Sequence, residues 1–335
     1  MDNDFERSLR DTLRAVISES ASDSIGKELD DLGWSELVSE TPLAFSLLYD
    51  ELGRAARSTA LIDQLVLSEL GSPLAGSCDA VVYQAPAQDL RPPTQCNVDG
   101  IIVDGWAMNP PDMDERLLVW SAKHSEQSPA AIAITTLRSA PGLDIRPANT
   151  LDSEGSWVRI TGRVLHSEAE TITDFHGQLR DGVRTSARRA AAAEMAGLAH
   201  GILGLAIEHV ATRTQFGRPI GSFQAVRHRL ADARTLAAGT DALLEDAWDT
   251  GNAESADLAL AYAGHAHRLI GSHCLQVCGA MGLTWEHDLH RYLRRGYTLD
   301  AVFGPAARIT EFFGAQLIAR TANSESRHSA EARST

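Results

Sequence analysis

The chain has 335 residues, 44% of them hydrophobic, so it is long enough to bury a large core and to form one to three domains. Its formal net charge of −15 comes from 30 Lys and Arg against 45 Asp and Glu. This acidity argues against nucleic acid and anionic membrane surfaces as general partners, so an anionic ligand would need local arginines.

Targeting and redox signals are few. We expect no apolar run of membrane-span length, and the acidic, amphipathic N-terminal stretch does not resemble a secretory signal. The four cysteines, Cys78, Cys96, Cys274 and Cys278, form no CxxC pair, which favours a reduced, cytoplasmic location. The histidines of the helical half are expected to have ordinary packing or surface roles. Their pairs lack a third ligand at zinc spacing, so no metal site is expected.

The N-terminal part of the chain is predicted to be helical. Apolar residues at helical spacing indicate helices over 3–20 and 24–32 and one or two helices over 43–70, closing at Gly71. These segments predict an N-terminal helical domain over residues 1–77.

From about Cys78 the helical periodicity gives way to short β-prone runs separated by Gly, Pro and Asp. The runs are Ala80–Tyr83, Ile101–Val103, Leu117–Ser121, Ala131–Thr136 and Trp157–Val164. They predict a middle antiparallel β domain over residues 78–175. A loop-rich insertion with a single hairpin is the alternative.

The remaining chain is again helical in pattern. Long segments at 182–212, 222–249, 253–281 and 303–321 predict a C-terminal four-helix bundle over residues 176–321. The polar stretch 322–335 is predicted to be a disordered tail. The fold class predicted from the whole chain is α+β.

A tight turn separates the first two of these long helices. Gly217 and Gly221 allow backbone angles closed to other residues, Pro219 stops a continuous helix, and Ser222 is a candidate N-cap. Arg213 and Gln215 lie at this corner. An arginine fork beside a glycine turn suits a phosphate or a carboxylate.

The stretch from Arg213 to Asp232 resembles the acyl-CoA dehydrogenase signature R-x-x-F-G-x-x-I-x-x-F-Q-x-V-x-x-x-L-A-D. The matching residues are Arg213, Phe216, Gly217, Ile220, Phe223, Gln224, Val226, Leu230, Ala231 and Asp232. The residues from Gln276 to Gly282, followed by Glu286, resemble a second family motif, Q-x-x-G-G-x-G followed by a glutamate. Ala280 replaces one of its glycines.

The resemblance implies the acyl-CoA dehydrogenase fold and FAD as cofactor. In that family the matching residues hold the pyrophosphate and adenosine of an FAD whose flavin ring lies in a neighbouring subunit. The cofactor-binding residues implied for this chain are Arg213, Gln215, Phe216, Phe223, Gln224, Gln276, Val277, Gly279, Ala280 and Gly282.

The catalytic base of the family is missing from both places where the resemblance would put it. The reaction removes an α-proton from an acyl thioester while hydride leaves the β-carbon, and the proton needs a carboxylate. The first position falls on Phe303 and the second on Ala187, neither of which titrates. A shifted alignment leaves Asp300, Glu311 and Glu194 as alternatives, so no catalytic residue is assigned.

The β domain lacks further family features. The T-E-P and W-I-T-like stretches that grip the flavin ring have only QAPAQDL at 84–90 and VDGWAMNP at 103–110 as counterparts. Trp106 is similar to the family tryptophan, but hydroxyl donors are lacking around it. The N-terminal domain also lacks a glycine-rich family segment near Trp34. Arg291, Arg294 and Arg295 match a stretch near the active site and the subunit contacts, or form a solvated basic patch.

This combination resembles the short subunit of α2β2 acyl-CoA dehydrogenases of steroid-degrading bacteria. It implies a cytoplasmic chain that supplies the FAD tail half-site, while a longer partner supplies the flavin pocket and the glutamate. The implied substrate is an acyl-CoA derived from a steroid, such as a cholesterol side chain or ring, and the implied acceptor is an electron-transfer flavoprotein. A homomeric flavoenzyme with a relocated base and a flavin-free structural subunit remain as alternatives.

Overall fold

A computed structural model describes residues 3–70, 78–85, 94–97, 100–120, 130–174 and 178–331. Five helices come first in the chain. They are α1 (Asn3–Glu19), α2 (Ile25–Asp31), α3 (Trp34–Glu40), α4 (Ala44–Arg54) and α5 (Ile62–Glu69). One or two helices were predicted over 43–70, and the structure has two, because the chain turns at Ala56, which has a positive φ of 48°.

Two β-sheets follow. The strands are β1 (Ala80–Val81), β2 (Tyr83–Gln84), β3 (Thr94–Asn97), β4 (Gly100–Ala107), β5 (Leu117–Trp120), β6 (Ala130–Thr135), β7 (Leu143–Pro147), β8 (Val158–Val164) and β9 (Glu170–Asp174). One sheet has the order β1-β5-β6-β9, and the other has β2-β4-β8-β7 with β3 also paired to β4. Val82, Ile101, Val119 and Ile160 are buried together in one apolar cluster of this β region.

The predicted antiparallel arrangement needs one correction, because β1 pairs with β5 in parallel. The sequence analysis also missed β3, β7 and β9. The strand β7 carries half-exposed polar residues, with burial alternating weakly along Leu143–Pro147, so it lacks the apolar run that marked the other strands.

Five helices complete the chain. They are α6 (Gln178–Thr212), α7 (Gln224–Thr250), α8 (Ala253–Cys278), α9 (Leu289–Phe303) and α10 (Ala306–Glu331), with a short hairpin, β10 (Thr214–Gln215) and β11 (Arg218–Pro219), between α6 and α7. This α+β architecture with a C-terminal helical bundle confirms the predicted fold class.

Three details of the helical half differ from the prediction. The helix α9 was not predicted, since its Arg-rich sequence was taken as a basic stretch. Ser222 is not an N-cap: it ends a 3-10 turn over Ile220–Ser222, and α7 begins at Gln224. The helix α10 runs to Glu331 instead of ending at 321, because Ala, Glu and Arg in 322–331 are good helix formers. Residues 332–335 lie outside the described part.

The expectation of no apolar run of membrane-span length was wrong for one helix. Residues 181–212 of α6 are long and apolar enough to cross a membrane, but 72% of the apolar window is buried inside the structure. A mostly buried apolar helix is also what the core helix of a bundle looks like. The helices α4 and α6 cross so closely that a Cβ on Gly53 would lie 2.0 Å from the Glu194 carbonyl oxygen.

A buried ion-pair network joins the three parts of the chain. The guanidinium of Arg295 on α9 donates to both carboxylate oxygens of Glu194 on α6, at 2.6 and 3.1 Å. The same group donates to Asp152, in the loop between β7 and β8, at 3.0 Å and to Ser58, after α4, at 2.8 Å. The side chains of Arg295, Glu194 and Asp152 are all at most 6% exposed. The interpretation of Arg295 as part of a solvated patch is therefore wrong.

Arg295→Met should lower the free energy of unfolding by about 3–5 kcal/mol, because it leaves two buried carboxylates without their counter-charge. The matched control is Arg308→Met, which removes an exposed i,i+3 pair with Glu311 and should cost about 0–1 kcal/mol. Urea unfolding of the three proteins at pH 7 measures both values. Equal stabilities of the two variants would contradict the structural role of Arg295.

Candidate functional site

The corner between α6 and α7 is a strained hairpin that exposes an aromatic ring. Phe216 has a φ of 53° and Gly217 a φ of 75°, so two consecutive residues adopt left-handed backbone angles. The amide of Ile220 donates to the carbonyl oxygen of Arg213 at 2.8 Å and closes the loop. The Phe216 side chain is 92% exposed. A non-glycine residue held in this conformation is strained, and such strain is found preferentially at functional sites.

Phe223, the second aromatic residue of the signature, packs against two residues of the hairpin. The guanidinium of Arg218 lies 4.3 Å from the centre of the Phe223 ring, and Phe216 meets the same ring edge to face at 6.1 Å. Phe216, Phe223 and Gln224 therefore shape the outer side of the corner.

A pocket of about 730 Å³ lies behind the hairpin, between the last turn of α6 and the turn after α8. Its lining includes five of the ten residues predicted to bind the cofactor: Arg213, Gln215, Val277, Gly279 and Ala280. The other five, Phe216, Phe223, Gln224, Gln276 and Gly282, are not part of this lining. The two sequence motifs, more than sixty positions apart, thus meet at one concave surface of ligand-binding size.

The two glycines of the second motif have different physical roles. Gly279 has a φ of 62° and nothing within 4 Å of its Cβ position, so its backbone is open to a ligand. Gly282 is buried, and a Cβ there would lie 2.9 Å from the Cβ of Cys278. Gly279 therefore serves the pocket, whereas Gly282 serves the packing of the turn.

The pocket lining contains one arginine, Arg213, and one carboxylate, Glu286. Arg213 is exposed, and its guanidinium has no ion-pair partner within the described ranges. His209 and His287 line the same pocket, with their ring centres 6.2 Å apart. Sequence reasoning grouped these two histidines with packing and surface residues. The signal that could have found His209 is its position one helical turn before Arg213.

The two positions of the missing base are packed shut. Ala187 on α6 is 3% exposed and Phe303 at the end of α9 is 5% exposed. The Phe303 ring packs edge to face against Tyr83 at 4.9 Å, and its carbonyl oxygen accepts a hydrogen bond from Arg188. Aromatic packing therefore occupies the place where the resemblance puts a carboxylate.

The three alternative carboxylates are each held by another partner. Glu194 is bound to Arg295 in the buried network, and Glu311 pairs with Arg308 on the exposed face of α10. Asp300 accepts a hydrogen bond from the Ala306 amide at 2.9 Å, which caps the start of α10. Burial raises the pKa of Asp300. Each of the three has a structural explanation.

One carboxylate that was not predicted from the sequence is linked to Phe303 through Tyr83. Asp63 on α5 is 5% exposed and accepts hydrogen bonds from the Tyr83 hydroxyl and, at 3.2 Å, from the Val81 amide. Burial raises its pKa to about 7, although both hydrogen bonds act in the opposite direction. No local sequence pattern marks it, since its burial depends on strands that pack over α5.

Asp63 should make stability depend on pH. Its ordinary pKa is 3.8 and its folded pKa is about 7, so between these values only the folded state keeps the proton. The free energy of unfolding should therefore fall with rising pH across this window, by at most about 1.4 kcal/mol per pH unit from this group, and level off above pH 7. Asp63→Asn should lack this component. Urea titrations from pH 4.5 to 8.5 test it, and parallel profiles for the two proteins would contradict it.

The counterparts of the flavin-gripping stretches lie partly outside the described residues. Of residues 84–90, positions 86–90 fall there. Gln84 and Trp106 lie on neighbouring strands, because Tyr83 pairs with Trp106 and Gln84 with Gly105. The Trp106 ring is 6.2 Å from that of Trp157, so it packs against another indole.

Comparison with known proteins gives this fold a class. Residues 184–317 match the family described as acyl-CoA dehydrogenase, C-terminal domain. The chain is 27% identical over 303 residues to the acyl-CoA dehydrogenase IpdE2 of Mycobacterium tuberculosis, covering 86% of this chain and 90% of that protein. It is 34% identical over 160 residues to IpdE2 of Mycolicibacterium smegmatis, a match that covers 48% of this chain and 49% of that protein.

Solved structures agree over nearly the whole chain. A Tcur3481-Tcur3483 steroid ACAD superposes with a TM-score of 0.77 at 21% identity, covering 96% of this chain and 99% of that one. The ChsE4-ChsE5 complex of Mycobacterium tuberculosis gives 0.70 at 20% identity, with 95% and 98% covered. A glutaryl-CoA dehydrogenase of Mycobacterium smegmatis in complex with FADH2 gives 0.70 at 16% identity, with 95% covered in both chains.

The fold and its bundle thus define an acyl-CoA dehydrogenase architecture. Residues 184–317 match the C-terminal domain of acyl-CoA dehydrogenases, and the chain is similar to an acyl-CoA dehydrogenase of Mycobacterium tuberculosis over most of its length.

Proposed function

We propose that this chain is a subunit of a heteromeric, FAD-dependent acyl-CoA dehydrogenase that binds the adenosine and pyrophosphate end of FAD. The single observation that carries the proposal is a contrast within one chain. The pocket at Arg213 is open and rich in groups that bind anions, whereas both positions for the base are closed by apolar packing. A partner would supply the flavin pocket and the catalytic glutamate.

The residues of the pocket suit the tail of FAD. The unpaired guanidinium of Arg213 fits a pyrophosphate, which it can bind through charge-assisted hydrogen bonds. The open backbone at Gly279 permits close approach, and the amide of Gln215 can bond to a sugar or a base. Val277 and Ile220 offer apolar surface. When bound, FAD would supply the acceptor for the hydride that leaves the acyl β-carbon.

The exposed ring of Phe216 supports a site that is completed across an interface. Phe216 is 92% exposed, so its only ring contact within the described residues, the edge of Phe223, leaves most of the side chain open to solvent. Aromatic residues are enriched in the buried centres of protein interfaces. Phe216 would therefore be a contact to the partner, directly beside the pocket.

Two of the structural neighbours support a second chain and a class of substrate. One is described as a steroid ACAD made of Tcur3481 and Tcur3483, and another as a ChsE4-ChsE5 complex. By this likeness the substrate would be a bulky acyl-CoA derived from a steroid, which the assembled enzyme would desaturate between the α and β carbons. An electron-transfer flavoprotein would accept the electrons.

A homomeric flavoenzyme with a relocated base is the second candidate function, and the carboxylate of Asp63 favours it. Asp63 is linked to the Phe303 ring through Tyr83 and has a pKa near neutrality. Asp63→Asn separates the two functions: lost turnover with retained flavin would favour the homomer. Retained turnover would leave the base to the partner chain.

Arg213→Ala should lower the affinity of the assembled enzyme for FAD by about tenfold to a hundredfold, because one charge-assisted contact contributes about 1.5–3 kcal/mol. The control is Arg218→Ala on the same hairpin, which stacks on Phe223 outside the pocket and should retain FAD. Flavin absorbance after gel filtration measures both. Full flavin content of Arg213→Ala at limiting FAD would contradict the assignment of the pocket.

The chain alone should have no acyl-CoA dehydrogenase activity, since Phe303 and Ala187 cannot accept a proton. An α2β2 complex of the chain with its partner should contain two FAD per tetramer instead of four. The reason is that the half-site for the flavin ring and the catalytic base is closed in this chain. Flavin absorbance against protein mass gives this ratio. A homotetramer with four FAD and full turnover would overturn the proposal.

A further inference from the structure

The pocket contains two histidines whose ring nitrogens differ in hydrogen bonding. His287 accepts a hydrogen bond at Nδ1 from the Leu289 amide, at 3.2 Å. This bond fixes the proton of the neutral ring on Nε2, because a second proton on Nδ1 would break it. Nε2 of His287 is therefore a hydrogen-bond donor. His209 has no hydrogen-bond partner for its ring within the described part of the chain, so either of its nitrogens is free to take a proton.

The groups around His209 lower the pKa of its ring in the free protein. Arg213 directly follows the end of α6, four residues after His209, and His287 faces His209 from the loop after α8, with ring centres 6.2 Å apart. Burial, His287 and Arg213 all lower the pKa of His209 below its ordinary 6.5. Near pH 7 the ring of the free protein is thus neutral.

The other titratable groups of the pocket do not reverse this arrangement. Glu286 lies in the same lining, and hydrogen bonds from its own backbone and from Thr284 lower its pKa, so it stays ionised. Cys278 of α8 is buried, which raises the pKa of its thiol and keeps it neutral. Asp288, next to His287, is paired with Arg291 at 3.6 Å. The hairpin contributes only the uncharged Gln215.

We infer that His209 is a phosphate-binding residue of this pocket that takes up one proton when a pyrophosphate diester enters, while His287 donates from Nε2. The inference rests on the proposed function, because it assumes that the pocket receives the tail of a dinucleotide. A bound anion near His209 favours the charged form of the ring, and the resulting charge-assisted hydrogen bond in turn strengthens binding.

The sign of the pH dependence follows from this linkage. In the complex the pKa of His209 lies above its value in the free protein, so binding takes up a proton between the two values. Affinity should rise as pH falls through this window, by at most about tenfold per pH unit for one proton, and level off below the pKa of the free protein. At alkaline pH only Arg213 and the neutral donors remain.

ADP-ribose is a suitable probe, because its pyrophosphate diester does not titrate between pH 5.5 and 8.5 and it carries no flavin ring. Calorimetric titration of the full chain across this range, in buffers with different ionisation enthalpies, measures affinity and proton uptake together. We expect tighter binding at low pH and uptake of up to one proton near neutrality. His209→Gln should remove both effects and leave the affinity at pH 8.5 unchanged.

Two further variants make the test specific. His209→Arg should bind tightly at every pH without proton uptake, since its charge is permanent. His228→Gln changes an exposed histidine on α7 outside the pocket and should behave as the unchanged protein does. A pH-independent affinity, or a slope that persists in His209→Gln, overturns the inference.

The outcomes also separate this inference from the proposed function. If Arg213→Ala weakens ADP-ribose binding and no pH dependence is seen, the pocket assignment stands and the role of His209 is wrong. If ADP-ribose binds with His209-dependent proton uptake while Arg213→Ala leaves the flavin content of the complex unchanged, the role of His209 stands and the assignment of the pocket to FAD is wrong. No binding at any pH overturns both.

Discussion

The structure depends most on one buried cation. Arg295 reaches from α9 to α6, to the loop between β7 and β8 and to the loop after α4, so a single side chain ties together the three parts of the chain. Such a group is costly to bury, and it is tolerated when counter-charges and hydrogen-bond acceptors surround it. Two carboxylates and a hydroxyl accept four hydrogen bonds from the guanidinium of Arg295. The relative position of α6 and α9, which flank the closed base position, is fixed by this network.

The fixed frame explains how one chain can keep one half of a shared site and close the other. The open pocket lies at the far end of α6, where Arg213 and His209 are separated from the network by several helical turns. The closed position lies where α9 ends, and there Phe303, Tyr83 and Asp63 form a continuous contact. Packing at one end therefore does not constrain charge at the other. Under the proposed function, this separation allows one chain to bind the tail of FAD while its partner supplies the flavin pocket and the catalytic base.

The sequence predicted the long helices and the turn between α6 and α7, because their signals are local. Apolar periodicity marked α1, α6, α7 and α8, and the glycine-rich turn marked the hairpin. The strand β7 and the helix α9 were missed since their sequences are polar, and their pairing and burial come from the rest of the fold. The same holds for Arg295, which reads as a surface arginine until Glu194 and Asp152 surround it.

The site followed the same rule. Arg213, Gln215 and Gly279 were predicted from two motifs, and the structure brings them to one pocket. His209 and His287 meet only in the folded pocket, and Asp63 is buried by strands distant in sequence, so none of the three was predicted as a functional residue. His287 owes its tautomer to one backbone amide, and Asp63 owes its shifted pKa to the strands above it.

The closed base position also has an evolutionary consequence. A glutamate restored at Phe303 would replace an aromatic ring packed against Tyr83 and place a second carboxylate close to Asp63, in a region without a free counter-charge among the described residues. Burying an unpaired charge of this kind destabilises a protein by several kcal/mol, a large share of the stability of an ordinary domain. A return to self-sufficiency would require several coordinated substitutions. Under the proposed function, dependence on a partner is thus a step that single mutations cannot readily reverse.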